Sequence, residues 1–422
     1  MKKMKVVLIG AGQRGITYTD IMSQNPERYE VVAVAEPIES RRNYIQKKHG
    51  IPGDRCFADW APLIALGKIA DVAVIATMDR DHFAPAMAAI GLGYDLLLEK
   101  PIAPLPEECK KITDFAEEKG VKVVICTVLR YTNVFIRIKE IIDSGKIGKV
   151  MSINHEEGVG NIHQTHSFVR GNWGNSDTSS DMLLQKSCHD MDILQWLLGK
   201  KCKKVQSFGT LSYFKEESAP SGSPEYCIQG CPAQDTCPYN AVKIYFDDKK
   251  NDWFRTTSTR EAAPTDEQVK NAITNTQYGK CVFKCNNNVV DHQTVNMLFE
   301  DDITVTFNMN AFCKPGRRIQ IMGTRGEIRA ALDGQEPITV YNHDTQETKT
   351  VPLVAGDGIV SGHGGGDRGI IEALYEYLVG EYHGKSIPTI QESCYNHMIV
   401  FAAEKARRTN TVVDVDAYIN SL

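Results

Sequence analysis

Residues 5–15 read KVVLIGAGQRG, a β-branched apolar run that passes straight into three glycines, Gly10, Gly12 and Gly15. A helical pattern over Ile16–Ser23 follows, and a second apolar run, Tyr29–Ala35, ends at Glu36. The spacing G-x-G-x-x-G is common by itself. Set between a strand and a helix, with an acid closing the next strand, it predicts a dinucleotide site. Gly10 permits the tight turn, Gly12 lets a pyrophosphate approach the backbone, and Gly15 lets helix and strand close together. The backbone around Gln13 and Arg14, at the positive end of the helix, is expected to face the phosphates. Glu36 would accept the ribose hydroxyls and repel a 2′-phosphate, which favours NAD. Arg41 or Arg42 could pair with that phosphate, so NADP stays the alternative.

Outward from this loop, strands and helices alternate. A helix is expected over Arg41–His49, a strand over Val72–Ala76 and a helix over Phe83–Leu92. Asp95–Leu98, Pro106–Lys119 and Val121–Cys126 continue as strand, helix, strand. That alternation predicts a doubly wound parallel sheet, a Rossmann domain over residues 1–127. Ligands in such sheets bind beyond the carboxyl ends of the strands, here at Thr77, Glu99-Lys100-Pro101 and Arg130. Lys100 follows an apolar strand and precedes a proline whose ring restricts it. Beside a nicotinamide and partly desolvated, a lysine is suited to acid/base work.

Further on, residues 181–199, DMLLQKSCHDMDILQWLLG, place Leu183, Leu184, Ile193, Leu194, Leu197 and Leu198 at helical offsets. Lys186, His189, Asp190 and Asp192 are set into that apolar pattern. Polar groups inside a buried helix are either partnered or facing a cavity.

Bulk properties narrow the class. Lys+Arg 48 against Asp+Glu 53 gives a net charge of −5, no electrostatic case for nucleic acid or an anionic membrane. No apolar run approaches the roughly 20 residues of a membrane span. The opening MKKMKVVLIGAG is a first strand rather than an export signal, and a cytoplasmic location is expected. Seven of twelve cysteines are scattered singly and read as small buried hydrophobes of a reducing compartment.

With these stretches in view, the chain resembles the Gfo/Idh/MocA family of NAD(P)-dependent oxidoreductases over nearly its whole length. GAGQRG, ATMDRDHFAPAM, GLGYDLLLEKPIA, SGKIGKV, SCHDMDILQWLLG, IMGTRGEIRA and GHGGGDRG look like family blocks in family order. The resemblance implies a second, α+β domain over 128–422, built on an open, mixed and largely antiparallel sheet that covers the nicotinamide. It implies Lys100 and His189 near the reacting carbon, and Thr77, His82 and Glu99 lining the cofactor. Inositol-dehydrogenase-like members carry an aspartate four residues before the histidine. Here that place is Gln185, and Lys186 beside it is a candidate for part of the role.

Within the second domain, His155, Glu156, His163, His166, Arg170 and Trp173 crowd a segment of weak apolar periodicity. Substrate contacts are the expectation for His166, Arg170 and Trp173, and a solvated loop or a metal site are the alternatives. Residues at about 215–290 break the pattern as a Cys-rich insertion. Cys227, Cys231, Cys237, Cys281 and Cys285 offer enough thiols for a structural zinc, with an iron–sulfur cluster or plain reduced thiols as rivals. Strands are expected at Val205–Phe214, Val295–Glu300, Ile303–Asn308, Arg317–Met322, Glu327–Ala331 and Ile338–Asn342. Sheets of this kind often pair between subunits, so a homo-oligomer, dimer or tetramer, is expected. The loop GHGGGD is expected to bring His363 and Asp367 to the substrate, alongside Lys186 and Asp190.

The reading is hydride transfer between a carbohydrate or polyol secondary alcohol and a nicotinamide, with Lys100, His189 and Lys186 as catalytic candidates. One rival is a redox-assisted glycosidase or lyase that keeps and recycles its NAD. Another is a ligand-binding or regulatory protein that uses the fold without catalysis.

Overall fold

Val6, Val7, Leu8 and Ile9 are each at most 1% exposed, with no polar alternation. Such a run is covered on both faces, the condition of an inner strand in a parallel sheet. The computed structural model describes residues 2–332, 336–353 and 364–422. In it β1 (Met4–Ile9) lies between β2 (Tyr29–Ala35) and β4 (Val72–Ile75), parallel to both. With β3 (Cys56–Phe57), β5 (Asp95–Leu98) and β6 (Val123–Ile125) the order is β3-β2-β1-β4-β5-β6, all parallel. The order reverses beside β1, so the glycine loop opens at the switch point where such sheets bind ligands.

The second sheet runs β14-β13-β12-β11-β7-β10-β9-β8-β15. Its strands are β7 (Val150–Gly158), β8 (Cys202–Thr210), β9 (His292–Phe299), β10 (Thr304–Asn310) and β11 (Gly316–Gly323). It is completed by β12 (Gly326–Ala331), β13 (Ile338–Asn342), β14 (Thr348–Val351) and β15 (Val413–Asp414). Among the described residues of this sheet only the β7–β10 pair is parallel. On β10 Val305, Phe307 and Met309 are buried while Thr304, Thr306 and Asn308 are exposed, the alternation of a sheet with one packed face. The helix Met182–Leu198 shares that packed face's core, through Leu183, Leu184, Leu194 and Leu197 with Val305 and Phe307.

Two helices from the far end of the chain return to the first domain. Ile370, Ile371 and Leu374, on the helix Gly366–Val379, share a core with Val6 and Leu8. Ile390, Cys394 and Met398, on the helix Ile390–Thr409, join the core under Ile75 and Leu98. A cut at 127/128 therefore follows the chain but not the packing. Burying side chains of this size stabilises by about 1.5–3 kcal/mol each, so these helices are integral to the nucleotide domain.

Candidate active site

The glycine loop is built as its spacing requires. Gly10 has φ +89°, and a Cβ there would sit 2.5 Å from the Ala76 carbonyl oxygen. A Cβ on Gly15 would collide with the Gly10 carbonyl. Around Gly12, which caps the helix Gln13–Ser23, the nearest atom to such a Cβ is an Arg41 nitrogen 3.9 Å away. Crowding thus accounts for two of the glycines, and open space for the third. The buried Glu36 carboxylate lies under the loop, accepting from the Ala11 amide at 2.6 Å and the Ile38 amide at 2.9 Å. Arg42 donates to the Glu36 and Pro37 carbonyls, at 2.5 and 3.3 Å. Arg41 donates to the Arg260 carbonyl, at 2.9 Å, in the insertion.

Beyond β5, Lys100 reaches the second domain: its Nζ donates to the Gln185 carbonyl at 2.6 Å. That carbonyl lies one turn before His189 in the helix Met182–Leu198. His189 is 6% exposed. The turn that carries Lys100 is braced from two sides. His82 bonds the Pro101 carbonyl through Nδ1 at 2.7 Å, and His397 accepts from the Ile102 amide at 3.1 Å. Thr77 caps its own turn, its hydroxyl donating to the Asp81 carbonyl at 2.9 Å.

Behind Lys186 runs a chain of buried charge. Lys186 Nζ is 3.2 Å from Glu157, Arg317 pairs with Glu157 at 2.8 Å, and Arg317 pairs with Asp190 at 2.7 Å. Asp190 also bonds His155 at 2.8 Å. Burial pushes Lys186 below the ordinary lysine range; Glu157 opposes that, while Arg317 and Lys100 add to it. Burial works against the Asp190 carboxylate, yet Arg317 and His155 outweigh it and hold it well below the usual range. His163 is pushed down by burial and then by the positive charge of Lys186, Arg317 and Lys100 among its neighbours, so it stands as a neutral imidazole among cations.

Several expected site residues have structural partners instead. Arg14 bonds Glu99 at 2.9 Å and Asp367 at 2.5 Å, its charge consumed between two helices and the Lys100 turn. Burial pushes Glu99 up, but Arg14 and Lys100 reverse that and hold it low. Asp367 is thus engaged by Arg14, as Asp190 is by Arg317 and His155. Trp173 donates its indole N–H to Asp79 at 3.2 Å, and Ser180 bonds the same carboxylate at 3.0 Å, joining the two domains. His363 lies outside the described residues.

His166 and Arg170 correct the reading most sharply. The His166 ring packs among Trp253, Phe254, Tyr245 and Tyr278, with centroids 4.6 to 5.6 Å away. The fully buried Arg170 donates to the carbonyls of Lys280 and Tyr239, both at 2.7 Å. Both residues hold the insertion onto the domain: His166 joins a core of rings and aliphatics around Tyr245, Phe254, Ile244 and Ile273, and Arg170 ties down the Lys280 and Tyr239 carbonyls.

The expected zinc finds no support. Cys227, Cys231, Cys237 and Cys281 line one small cavity with Arg170, yet among the described residues no three ligating side chains are grouped to hold a metal ion. Burial pushes Cys285 up to about 11 and raises Cys237 and Cys281.

Glu157 and Arg317 were not singled out by the sequence. They sit opposite each other on β7 and β11, so only the strand register could have found them. His397 carries no local signal at all; its role arises from a helix 295 positions away.

Comparison with known proteins agrees with this architecture. An oxidoreductase-family model for an NAD-binding Rossmann fold matches residues 4–127, and the model for that family's C-terminal alpha/beta domain matches 139–415. The Bacillus subtilis protein YteT, which carries an oxidoreductase name, is 24% identical over 322 residues, 72% of each chain. Inositol 2-dehydrogenase of Salmonella typhimurium is 24% identical over 206 residues, 49% of this chain and 57% of the relative. Among solved structures, scyllo-inositol dehydrogenase from Lactobacillus casei with bound NAD(H) and scyllo-inositol has a TM-score of 0.66 at 17% identity, covering 98% of this chain and 100% of that one. An oxidoreductase from Agrobacterium radiobacter in complex with NAD+, L-tartaric acid and magnesium has a TM-score of 0.70 at 14% identity, covering 99% of each.

Proposed function

The chain belongs to the Gfo/Idh/MocA oxidoreductase family, and within it we propose an NAD-dependent dehydrogenase acting on a secondary alcohol of a sugar, polyol or glycoside. The observation that carries the reading is the Lys100 ammonium on the Gln185 carbonyl, beside Lys186 and one helical turn from His189.

The residues at the loop fit a dinucleotide: open space at Gly12, a helix N-terminus behind it, and Glu36 held under the loop by the Ala11 amide. Gly10, Gly12, Gln13 and Gly15 would hold the pyrophosphate, and Glu36 the ribose, which favours NAD over NADP. Bound there, NAD would supply the hydride acceptor. The protein's own work is to place the alcohol and to move its proton. Lys100, carried by the braced turn, takes the hydroxyl proton as the neutral amine and becomes the ammonium while the carbinol hydride leaves, with His189 as its partner or substitute. Lys186, tethered by Glu157, orients the oxygen on which negative charge develops. The outer face of the second sheet, with Phe208, Thr304, Thr306 and Asn308 exposed, supports association of copies of the chain.

A redox-neutral variant, in which NAD stays bound and a glycoside is cleaved, is favoured by one contact, the Arg260 carbonyl of the insertion on Arg41 beside the glycine loop. Nucleotide extracted from protein purified without added cofactor, followed by turnover of polyols and glycosides with NADH monitored, separates the two. Oxidation with bulk NADH supports the dehydrogenase. Turnover without NADH supports the variant, and no turnover in a folded, nucleotide-bound protein defeats both.

A further inference from the structure

The small cavity of the Cys-rich insertion lies between two arms of the chain, residues 220–240 and 281–283, and has a volume of about 10 Å³. Space of that size admits one water-sized molecule. Cys227, Cys231, Cys237 and Cys281 share its wall with the Arg170 guanidinium. Cys231 and Cys237 are partly exposed, so the cavity lies near the surface. Arg170 is 1% exposed. Its Nε and Nη2 donate to the Lys280 and Tyr239 carbonyls, and Nη2 also lies 3.6 Å from the Cys227 sulfur. Its Nη1 is buried with no hydrogen-bond partner among the described residues. None of the partners it does have is a carboxylate. A buried cation without a counter-charge is costly, and the cavity wall offers it thiols. The backbone brings two of these thiols together. Tyr226 and Lys280 form an isolated antiparallel bridge, and the Cys281 amide bonds the Glu225 carbonyl at 2.8 Å. Cys227 and Cys281, each one residue past the bridge, leave it on the same side as diagonal neighbours, and both line the cavity.

A cation beside a cysteine favours the thiolate, the form in which sulfur attacks. We propose that this cavity is an oxidation site, in which Cys227, beside Arg170, reduces hydrogen peroxide and Cys281 captures the product as a disulfide that ties the two arms of the insertion together. The Cys227 sulfur attacks one peroxide oxygen. An S–O bond forms, the O–O bond breaks, and the departing hydroxide takes up the Cys227 proton as water. The Cys281 sulfur then attacks the sulfenic acid. The S–S bond forms, the S–O bond breaks, and hydroxide leaves with the Cys281 proton as a second water. Two thiols thus give two electrons to one peroxide. The unpartnered Nη1 of Arg170 supplies a donor for the departing oxygen. The bridge closes a loop from residue 227 to residue 281. That loop holds the helices Asp252–Thr259 and Asp266–Asn275, and Arg260, whose carbonyl takes the bond from Arg41. A crosslink that closes a long loop restricts the unfolded chain most, so the oxidised insertion is harder to open. None of this depends on hydride transfer.

The test takes the full chain, fully reduced, and adds hydrogen peroxide in small excess, with peptide mapping by mass spectrometry over time. A Cys227–Cys281 disulfide is expected, reversed by dithiothreitol, with Cys227 consumed about tenfold faster or more than the half-buried Cys313. Proteolysis within residues 241–280 is expected to slow about tenfold or more once the bridge has formed. Cys281→Ser should stop at the sulfenic acid, which dimedone traps on Cys227, and Cys227→Ser should leave Cys281 reduced. Should either variant fail to fold, the wild-type map decides alone. Cys227 consumed no faster than Cys313 overturns the inference, as does a disulfide that joins other cysteines instead. Dimedone absent from Cys227 in folded Cys281→Ser overturns it too, and so does a bridge that forms without slowing the cleavage.

Discussion

Replacing Lys100 by methionine removes a cation from the centre of the site while keeping its apolar stem. Two effects have to be separated. The lost contact is one charge-assisted hydrogen bond of 2.6 Å to the Gln185 carbonyl, of a kind worth about 1.5–3 kcal/mol. That carbonyl keeps its helical partner, the amide four residues on, so no buried acceptor is orphaned and the cost should fall near 1 kcal/mol. In a chain of 422 residues a loss of that size lowers the melting temperature by about one degree. If Lys100 moves the alcohol proton, kcat should fall about 10²–10⁴-fold, or roughly 3–5 kcal/mol in the barrier. The activity effect therefore exceeds the stability effect several-fold, and circular dichroism melts beside steady-state NADH formation measure both. Lys100→Arg sharpens the result, since a guanidinium keeps the charge but does not release its proton. A folded Lys100→Met protein with kcat within about threefold of wild type, or full rescue by arginine, would refute proton transfer at this position.

Three further outcomes are expected. Glu36→Ala removes the carboxylate beneath the glycine loop, so affinity for NAD should fall about tenfold and that for NADP should change less, measured by fluorescence titration of each reduced cofactor. Arg317→Met leaves Glu157 and Asp190 buried without their shared cation, a loss of about 3–5 kcal/mol readable in urea unfolding; Arg317→Lys should recover part of it. Burial holds His397 at about 4 and His166 at about 3 in the folded protein. The unfolded chain, with histidine near 6.5, then binds more protons between those values. Stability from this source is complete above about pH 6.5 and is lost as the pH falls towards 4, so melting temperature should drop over that window. His397→Gln should flatten the drop, and a melting temperature level from pH 7 to 4.5 would refute the assignment.

The nucleotide domain was legible because its signals are local. Val6–Ile9 is covered on both faces and reads as an unbroken apolar run, and Gly10 and Gly15 are glycine because neighbouring backbone leaves no room for a Cβ. Lys100 was legible for the same reason, standing between an apolar strand and a proline. The hairpins of the second sheet were found by alternation, but their register was not, and the Glu157–Arg317 pairing depends on it. His166 and Arg170 misled because polarity in a segment of weak periodicity reads the same whether it faces a ligand or closes a core of rings. The insertion that buries them begins dozens of residues later, and nothing in the local pattern announces the contact. For the cysteines, density in sequence foretold nearness, since four of them line one small cavity, but not the geometry of a ligand set.

The contacts that cross between domains also bear on how the site is assembled. Lys100 reaches Gln185, Asp79 holds Trp173 and Ser180, Arg14 ties Glu99 to Asp367, and His397 supports the amide of Ile102. Each joins the nucleotide domain to an element from the later chain, and each surrounds the same turn or the same helix. Groups held from several directions lose little freedom when a substrate arrives, so the electrostatics are arranged before binding rather than by it. A hinge between the domains would have to break charged and neutral bonds together, among them Lys100 to the Gln185 carbonyl and Trp173 to Asp79. Substrate entry is therefore better served by motion of the insertion, whose contact with the nucleotide domain at Arg41 is a single hydrogen bond to a carbonyl. Domain cross-links that leave the insertion free should then spare activity, whereas a link between residues 41 and 260 should slow exchange of the cofactor.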